Sequence, residues 1–213
     1  NPSIMKKTPL FLLLLAVAAL APAYSFSQES PSLSRPNEIY AGYGALSLFY
    51  FTGNLDHNYN YEDSYYHDYD NEDPSSPGTF FIGYNRQLNK IVSIGAVLSY
   101  MHTNNTFKYR DYNTSVYYTG TNHEYLLTEI TKVTFSYLNR PSLKVYSGVG
   151  MGVTVDLNEA TFEGTTQKDR KILPAGQLTF IGIRFGKAFG GFLEFGVGSN
   201  GIMQGGLSYR IAD

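Results

Sequence analysis

The chain has 213 residues, of which 16% are charged and 15% aromatic, and it contains no cysteine and no tryptophan. Its formal net charge is −2, and it has no basic stripe that would neutralise phosphates, which excludes nucleic acid as a general partner. The lack of cysteine excludes a disulfide framework, a thiolate metal site and a lipid anchor on a cleavage-site cysteine.

The N-terminal segment has the three-part layout of a secretory signal. Met5, Lys6 and Lys7 form a basic start, and the run "PLFLLLLAVAALAPA" is apolar and ends in small residues. A retained anchor helix is the alternative, but this run is shorter than the roughly 20 residues that a membrane span needs. We therefore expect residues 1–27 to be a signal peptide with its upstream residues, 28–37 a short periplasmic lead-in, and 38–213 one β-domain.

The rest of the chain shows period-two alternation and no convincing helical periodicity. The pattern predicts about eight strands, in chain order Ile39–Phe51, Thr79–Leu88, Ile91–Tyr100, Tyr125–Leu138, Lys144–Val155, Gln177–Ala188 and two within Gly190–Ile211. The segment "EYLLTEIT" breaks phase, which predicts either a bulge or a misjudged strand start there. In the sixth strand, Thr179 and Ile181 are predicted on one face and Phe180 and Arg184 on the other.

The two faces of each predicted strand differ sharply in side-chain size. In "GFLEFGVG", for example, Leu193, Phe195 and Val197 alternate with glutamate and glycine. A soluble sandwich would place its bulky face inward and cover the opposite face with Lys, Glu and Thr. Here the second face is too small and too rich in glycine for an ordinary wet surface.

The predicted connections alternate between long and short. Residues 52–78, 110–124 and 160–173 are predicted as long loops, and residues 89–90, 139–142 and 190–191 as tight turns. Only the last outer loop, at residues 199–201, is short. This alternation is typical of strands that meander across a membrane, with brief periplasmic turns and longer external loops.

Hydrocarbon provides no water for free N–H and C=O groups, so strands cross it only when they close into a barrel. Large apolar side chains then face lipid, and glycine, serine and a few charges fill the narrow interior of an eight-stranded barrel. The sequence therefore predicts an all-β fold, an eight-stranded antiparallel up-and-down transmembrane β-barrel. The alternative is a soluble lipocalin-like barrel, which would place its large apolar residues inside.

Three segments also carry a family resemblance: "GYNRQLNKIVSIGAVLSY", "LNRPSLKVYSGVGMGVT" and "GKAFGGFLEFGVGSNGIMQGGLSYRI". They resemble the outer-membrane β-barrel proteins of Gram-negative bacteria, and the fold is similar to the small OmpX-type and OmpA-type barrels. The resemblance covers nearly all of the expected mature chain and lies in the sequence patterns of its strands and turns, not in a functional motif. It implies a location in the cell outer membrane, with outer-membrane lipid, lipopolysaccharide and the barrel assembly machinery as partners.

The first long loop is rich in carboxylates and tyrosines and contains no Lys or Arg between residues 54 and 77. Its acidic residues are candidate ligands for a hard cation such as calcium, or for another ligand: Asp56, Glu62, Asp63, Asp68, Asp70, Glu72 and Asp73. Their spacing matches no EF-hand, so a solvated surface loop is the alternative. Tyrosine-rich loops make good contact surfaces, which favours binding as the use of this loop.

All four histidines are predicted in or beside outer loops: His57, His67, His102 and His123. Ser64, His67 and Asp68 contain the residue types of a hydrolytic triad, but no strand fixes their geometry. His57 and His67 likewise lack the spacing of a metal pair. We predict no catalytic residues, no metal and no cofactor.

Five charged residues are predicted to point into the barrel and form an ionic network: Glu194, Arg184, Arg210, Lys132 and Lys144. Buried charges need partners, so the network either fills the lumen and sets strand register or lines a selective pore. Wide aqueous channels need roughly 16 strands, which favours the filled lumen. The predicted function is a non-enzymatic outer-membrane scaffold that displays loops for envelope integrity or adhesion. A lipid-modifying barrel enzyme and a small passive pore are the alternatives.

Overall fold

The computed structural model describes residues 36–49, 70–71, 78–110, 117–162 and 165–212. They form nine strands, β1 Asn37–Ala45, β2 Asp70–Asn71, β3 Thr79–Gln87, β4 Val92–Arg110, β5 Tyr117–Arg140, β6 Leu143–Phe162, β7 Thr165–Gly186, β8 Phe189–Gly198 and β9 Met203–Ile211. All but the two-residue β2 pair antiparallel with the next long strand in the chain, and β9 pairs with β1 to close the ring. The predicted all-β architecture of eight antiparallel strands in a closed ring is confirmed. The predicted signal peptide lies outside the described residues.

The distribution of polar and apolar side chains in this barrel is the reverse of that in a water-soluble protein. Among the described residues, buried polar and charged side chains outnumber buried apolar ones by more than two to one. Large apolar side chains instead lie exposed on the outer face, as Ile82, Met151 and Phe185 do. A lipocalin-like arrangement has the opposite distribution. The alternation of Leu193, Phe195 and their neighbours therefore places the bulky side chains outside, as predicted.

The strands have two different lengths. β1, β3, β8 and β9 have nine or ten residues, whereas β4 to β7 have 19 to 24. The prediction of loops at residues 110–124 and 160–173 was wrong, because most of these residues continue the β4–β5 and β6–β7 ladders. We call the ends of β4 to β7 that rise above the shorter strands, residues 102–110, 117–125, 156–162 and 165–173, the extended sheet.

The first strand ends at Ala45 and does not continue to Phe51 as predicted. Leu46 has a positive φ of 59°, a conformation that a continuing strand does not adopt. The turn is fastened to the β8–β9 connection, where the backbone N–H of Ile202 donates to the carbonyl of Ala45 and the Ser47 hydroxyl to the carbonyl of Ser199. These bonds close the rim of the barrel.

Two β-bulges change which residues face inward. The segment "EYLLTEIT" pairs in continuous register and β5 begins earlier, at Tyr117, so its break in phase reflects a misjudged strand start and not a bulge; a register shift occurs instead at Tyr137, between Ser136 and Leu138. On β7, Phe180 is the extra residue relative to both neighbouring strands. Phe180 therefore points outward and Thr179 inward, opposite to the prediction, while Arg184 keeps its inward position. Strict alternation cannot anticipate an inserted residue.

The β7–β8 turn lies at Lys187 and Ala188, not at the two glycines predicted to form it. Gly190 and Gly191 belong to β8 and pair with Gly186 and Phe185. Gly186 adopts a φ of 106°, which glycine tolerates and other residues avoid. The turn places its carbonyls over the end of the barrel, where Arg184 reaches them.

Candidate functional site

The carboxylates predicted as a cation site are not placed by the structure. Asp56, Glu62, Asp63, Asp68, Glu72 and Asp73 lie outside the described residues, as do Ser64, His57 and His67. Asp70 is described only through its backbone, which pairs with Lys108 in the β2–β4 ladder. In the described part of the chain, no group of three or more His, Asp or Glu side chains is placed to hold a metal ion.

The five residues of the predicted ionic network come from five consecutive strands, β5 to β9. All are buried inside the barrel, namely Lys132, Lys144, Arg184, Glu194 and Arg210. Alternation turns each side chain inward, and the pairing of neighbouring strands brings them to the end of the barrel that carries the short turns.

Glu194 is the centre of one half of this network. Its Oε2 accepts hydrogen bonds from Lys132 Nζ at 2.6 Å and Thr179 Oγ1 at 3.1 Å, and its Oε1 accepts one from the Tyr146 hydroxyl at 2.7 Å. Lys132 and Glu194 expose only 5% of their side chains. Such a pair is stable only because further donors satisfy the carboxylate. Thr179 reaches it because of the bulge at Phe180.

Glu38, on β1, is the centre of the other half and was missed in the sequence. It pairs with Arg184 Nε, and Arg210 Nε lies 3.8 Å from its Oε1. Arg184 also donates to the Ser208 hydroxyl at 2.7 Å and to the carbonyls of the β7–β8 turn. A signal was present, because four predicted cations with only one carboxylate require a second acid. The first strand was placed one residue too late to include it.

Lys144 is held differently from the other cations. Its ammonium donates to Ser93 Oγ at 3.2 Å and lies 5.3 Å from the centre of the Tyr146 ring. Gly182 lies against the Tyr146 ring, where a Cβ atom would overlap the ring atoms. A larger residue at 182 would therefore displace the ring that contacts both Lys144 and Glu194.

An apolar layer borders the ionic network. Tyr40, Phe81 and Phe192 pack edge to face or tilted, with ring centroids 5.6 to 6.3 Å apart. Val97 and Ile130 join the same buried cluster. The aromatic layer and the ionic network together fill the cross-section of the barrel, as expected for an eight-stranded ring.

The extended sheet carries two further polar groups. On its outer face, the rings of His102 and His123 stack at 5.9 Å, and Tyr125 stacks on His102 at 4.7 Å. On its inner face, Glu124 accepts a hydrogen bond from Thr103 at 3.0 Å. Asp156 lies beside Glu124 and is paired in the ladder with Lys171.

The pKa of Asp156 is raised to about 6, first by burial and then by the neighbouring carboxylate of Glu124. A hydrogen bond with Glu124 and the charge of Asp169 act in the same direction, while Lys171 lowers the pKa. Asp156 lies beyond the ten or so residues of β6 nearest the short turn. Because its pKa is raised, Asp156 titrates in the mildly acidic range, unlike an exposed aspartate.

Comparison with known proteins adds no family to this geometry. The chain matches no protein-family model and no curated protein. Within the described ranges, no helix is both long enough and apolar enough to cross a bilayer.

Proposed function

We propose that this chain is an integral β-barrel of the outer membrane of a Gram-negative cell, delivered across the inner membrane by a cleaved signal peptide. It acts without catalysis, as a closed scaffold that holds the extended sheet and the first long loop above the membrane for envelope integrity or adhesion. The observation that carries this proposal is the inverted distribution of side chains. A band of large apolar groups surrounds the ring, and the charges lie inside.

The dimensions of the strands support this proposal. A transmembrane strand tilted by about 45° needs roughly 9–11 residues, and β1, β3, β8 and β9 have nine or ten. Aromatic side chains lie exposed on the outer face towards both ends of the strands, as Tyr43, Tyr100, Tyr137 and Phe189 do. Interfacial aromatic girdles are typical of such barrels. Lipid, lipopolysaccharide and the barrel assembly machinery are accordingly its partners.

The extended sheet supports a role in surface contact. It adds seven to nine residues to each of β4 to β7 beyond the span that a bilayer requires. Its outer face carries the stacked His102, His123 and Tyr125 and the exposed ion pair between Glu159 and Lys168. Aromatic and polar groups presented together suit contact with other molecules.

A pair of arginine substitutions tests the membrane location. Ile82 lies at the centre of β3 and is 60% exposed on the outer face. Ile82→Arg should lower the free energy of unfolding in lipid vesicles by about 2–4 kcal/mol if this position faces hydrocarbon. Thr161→Arg, on the outer face of the extended sheet, is the matched control and should change it by less than about 0.5 kcal/mol.

The readout is heat-modifiable gel mobility of protein folded in vesicles, followed through a urea titration. Folded barrels migrate differently from the boiled chain, so the folded fraction can be read directly. Equal stability of Ile82→Arg and Thr161→Arg, or a wild-type chain that stays soluble and folded without detergent, would overturn the membrane assignment.

The absence of catalysis is tested on lipid A. Mass spectra of lipid A from cells that express the protein should equal those from cells that carry the empty vector. A new lipid A species that disappears in both His123→Ala and His67→Ala variants would establish the enzyme alternative.

A further inference from the structure

A small cavity lies within the ionic network, with a free volume of about 10 Å³. Tyr40, Asn85, Thr134 and Lys144 border it, and the paired carboxylates of Glu38 and Glu194 also contribute to its wall. This volume accommodates one particle about the size of a water molecule. It is too small for a phosphate, a sugar or any organic ligand.

Two hydroxyl groups at the cavity wall have no hydrogen-bond partner in the described part of the chain. They belong to Tyr40, which is 8% exposed, and to Thr134, which is 1% exposed. A buried donor without an acceptor costs about 1–3 kcal/mol, so two of them at one cavity indicate an occupant that accepts hydrogen bonds.

The charges around the cavity do not balance. Among the described residues around the cavity, four buried cations, Lys132, Lys144, Arg184 and Arg210, face two buried carboxylates, Glu38 and Glu194, a surplus of two positive charges. Both carboxylates are already engaged by cations. No described carboxylate lies within 4.0 Å of the Lys144 ammonium, whose hydrogen-bond partner is the neutral Ser93. A buried cation without a counter-charge is costly.

We propose that this cavity binds one spherical monovalent anion of the halide class, held by Lys144, Tyr40 and Thr134. An anion accepts hydrogen bonds from both hydroxyls and offsets the charge of Lys144, whereas a water molecule does only the first. Asn85 also borders the cavity and its Oδ1 has no hydrogen-bond partner among the described residues, so a half-turn of its amide would make the amino group available as a further donor.

The direct test uses bromide as the probe. The full chain is refolded in detergent with sodium bromide and crystallised, and anomalous diffraction is recorded at the bromine edge. We expect an anomalous peak within hydrogen-bond distance of Lys144 Nζ and the two hydroxyls. A cavity that holds only a water molecule, or no density, overturns the proposal.

A second test separates specific binding from general salt effects. Wild-type protein refolded in sodium chloride should have a higher urea midpoint than protein refolded in sodium gluconate of equal ionic strength, and the gain should saturate with chloride concentration. Thr134→Val and Lys144→Met should each lose this gain, and the exposed Lys90→Met should retain it.

Thr134→Val preserves side-chain shape, so it carries the test even where Lys144→Met fails to fold. A chloride effect that rises without saturation, or that is equal in Thr134→Val and wild type, contradicts the proposal. Neither test depends on the membrane location of the barrel, because both probe the lumen alone.

Discussion

Among single residues, the stability of the lumen depends first on the two buried carboxylates and the cations that they pair with. Glu194 accepts three hydrogen bonds and is the counter-charge of Lys132. Removing one partner of a buried pair leaves the other uncompensated, which costs far more than the pair itself contributes. The same reasoning applies to Glu38, which serves both Arg184 and Arg210.

We therefore predict that Glu194→Gln lowers the free energy of unfolding by about 3–5 kcal/mol, because Lys132 remains charged and buried without a carboxylate. The measurement is a urea titration of the folded barrel followed by gel mobility. Glu159→Gln is the matched control, since Glu159 and Lys168 form an exposed pair whose contribution is at most about 1 kcal/mol. Equal midpoints for the two variants would refute the prediction.

Asp156 gives a prediction about pH. Its pKa rises from 3.8 in the unfolded chain to about 6 in the fold, so between these values the folded state binds more protons than the unfolded state. The free energy of unfolding should therefore fall as pH rises from about 4 to about 6, and this contribution should be constant outside that range.

Asp156→Asn removes the titration and leaves the shape of the side chain unchanged. The difference in unfolding free energy between wild type and Asp156→Asn, measured by urea titration at pH 4, 5, 6 and 7, should decrease across the first three points. A difference that is flat or increases with pH would show that the Asp156 carboxyl is not held in its neutral form.

At the element scale, alternation predicted the strands wherever the two faces differ in size. It succeeded for β3, β8 and β9, which lie wholly within the apolar band. It failed for the start of β5, where polar residues such as Thr121 and His123 face outward above that band. With polar groups on both faces, the period-two signal vanishes although the backbone pairing continues.

The bulge at Phe180 is a second feature that alternation could not anticipate, and it has a testable consequence. Removing Phe180 from β7 restores strict alternation and leaves Thr179 and Arg184 pointing inward. We predict that the deletion variant still folds into a heat-modifiable barrel, because every lumen charge keeps its face.

The matched control deletes Leu207 from β9, where no register shift occurs against β1 or β8. That deletion turns either Arg210 or Gln204 outward, and we expect no heat-modifiable form. If the Phe180 deletion also failed to fold, the extra residue would be required for closing the ring and not merely tolerated.

At the scale of the whole molecule, the same inversion explains both the outside and the inside. Apolar side chains that face outward leave only small and ionic groups for the lumen, and an eight-stranded ring is narrow enough for them to fill. Five charged residues of this lumen were predicted, since the outer face is defined by size. Their partners were not, because Glu38 fell outside the predicted first strand and because the contacts of Tyr146 and Thr179 with Glu194 depend on shear and on the bulge.

This filling predicts the electrical behaviour of the barrel. The aromatic layer of Tyr40, Phe81 and Phe192 borders the ionic network, and we expect either one alone to block the passage of ions. Wild-type protein in planar lipid bilayers should give no discrete conductance steps.

The Phe192→Ala variant, checked for folding by gel mobility, should likewise give no conductance steps, because the Glu194 network remains. A 16-stranded porin in the same bilayer is the positive control and should conduct. Steps in the wild type would establish a pore, and steps in Phe192→Ala alone would show that the aromatic layer is the only seal.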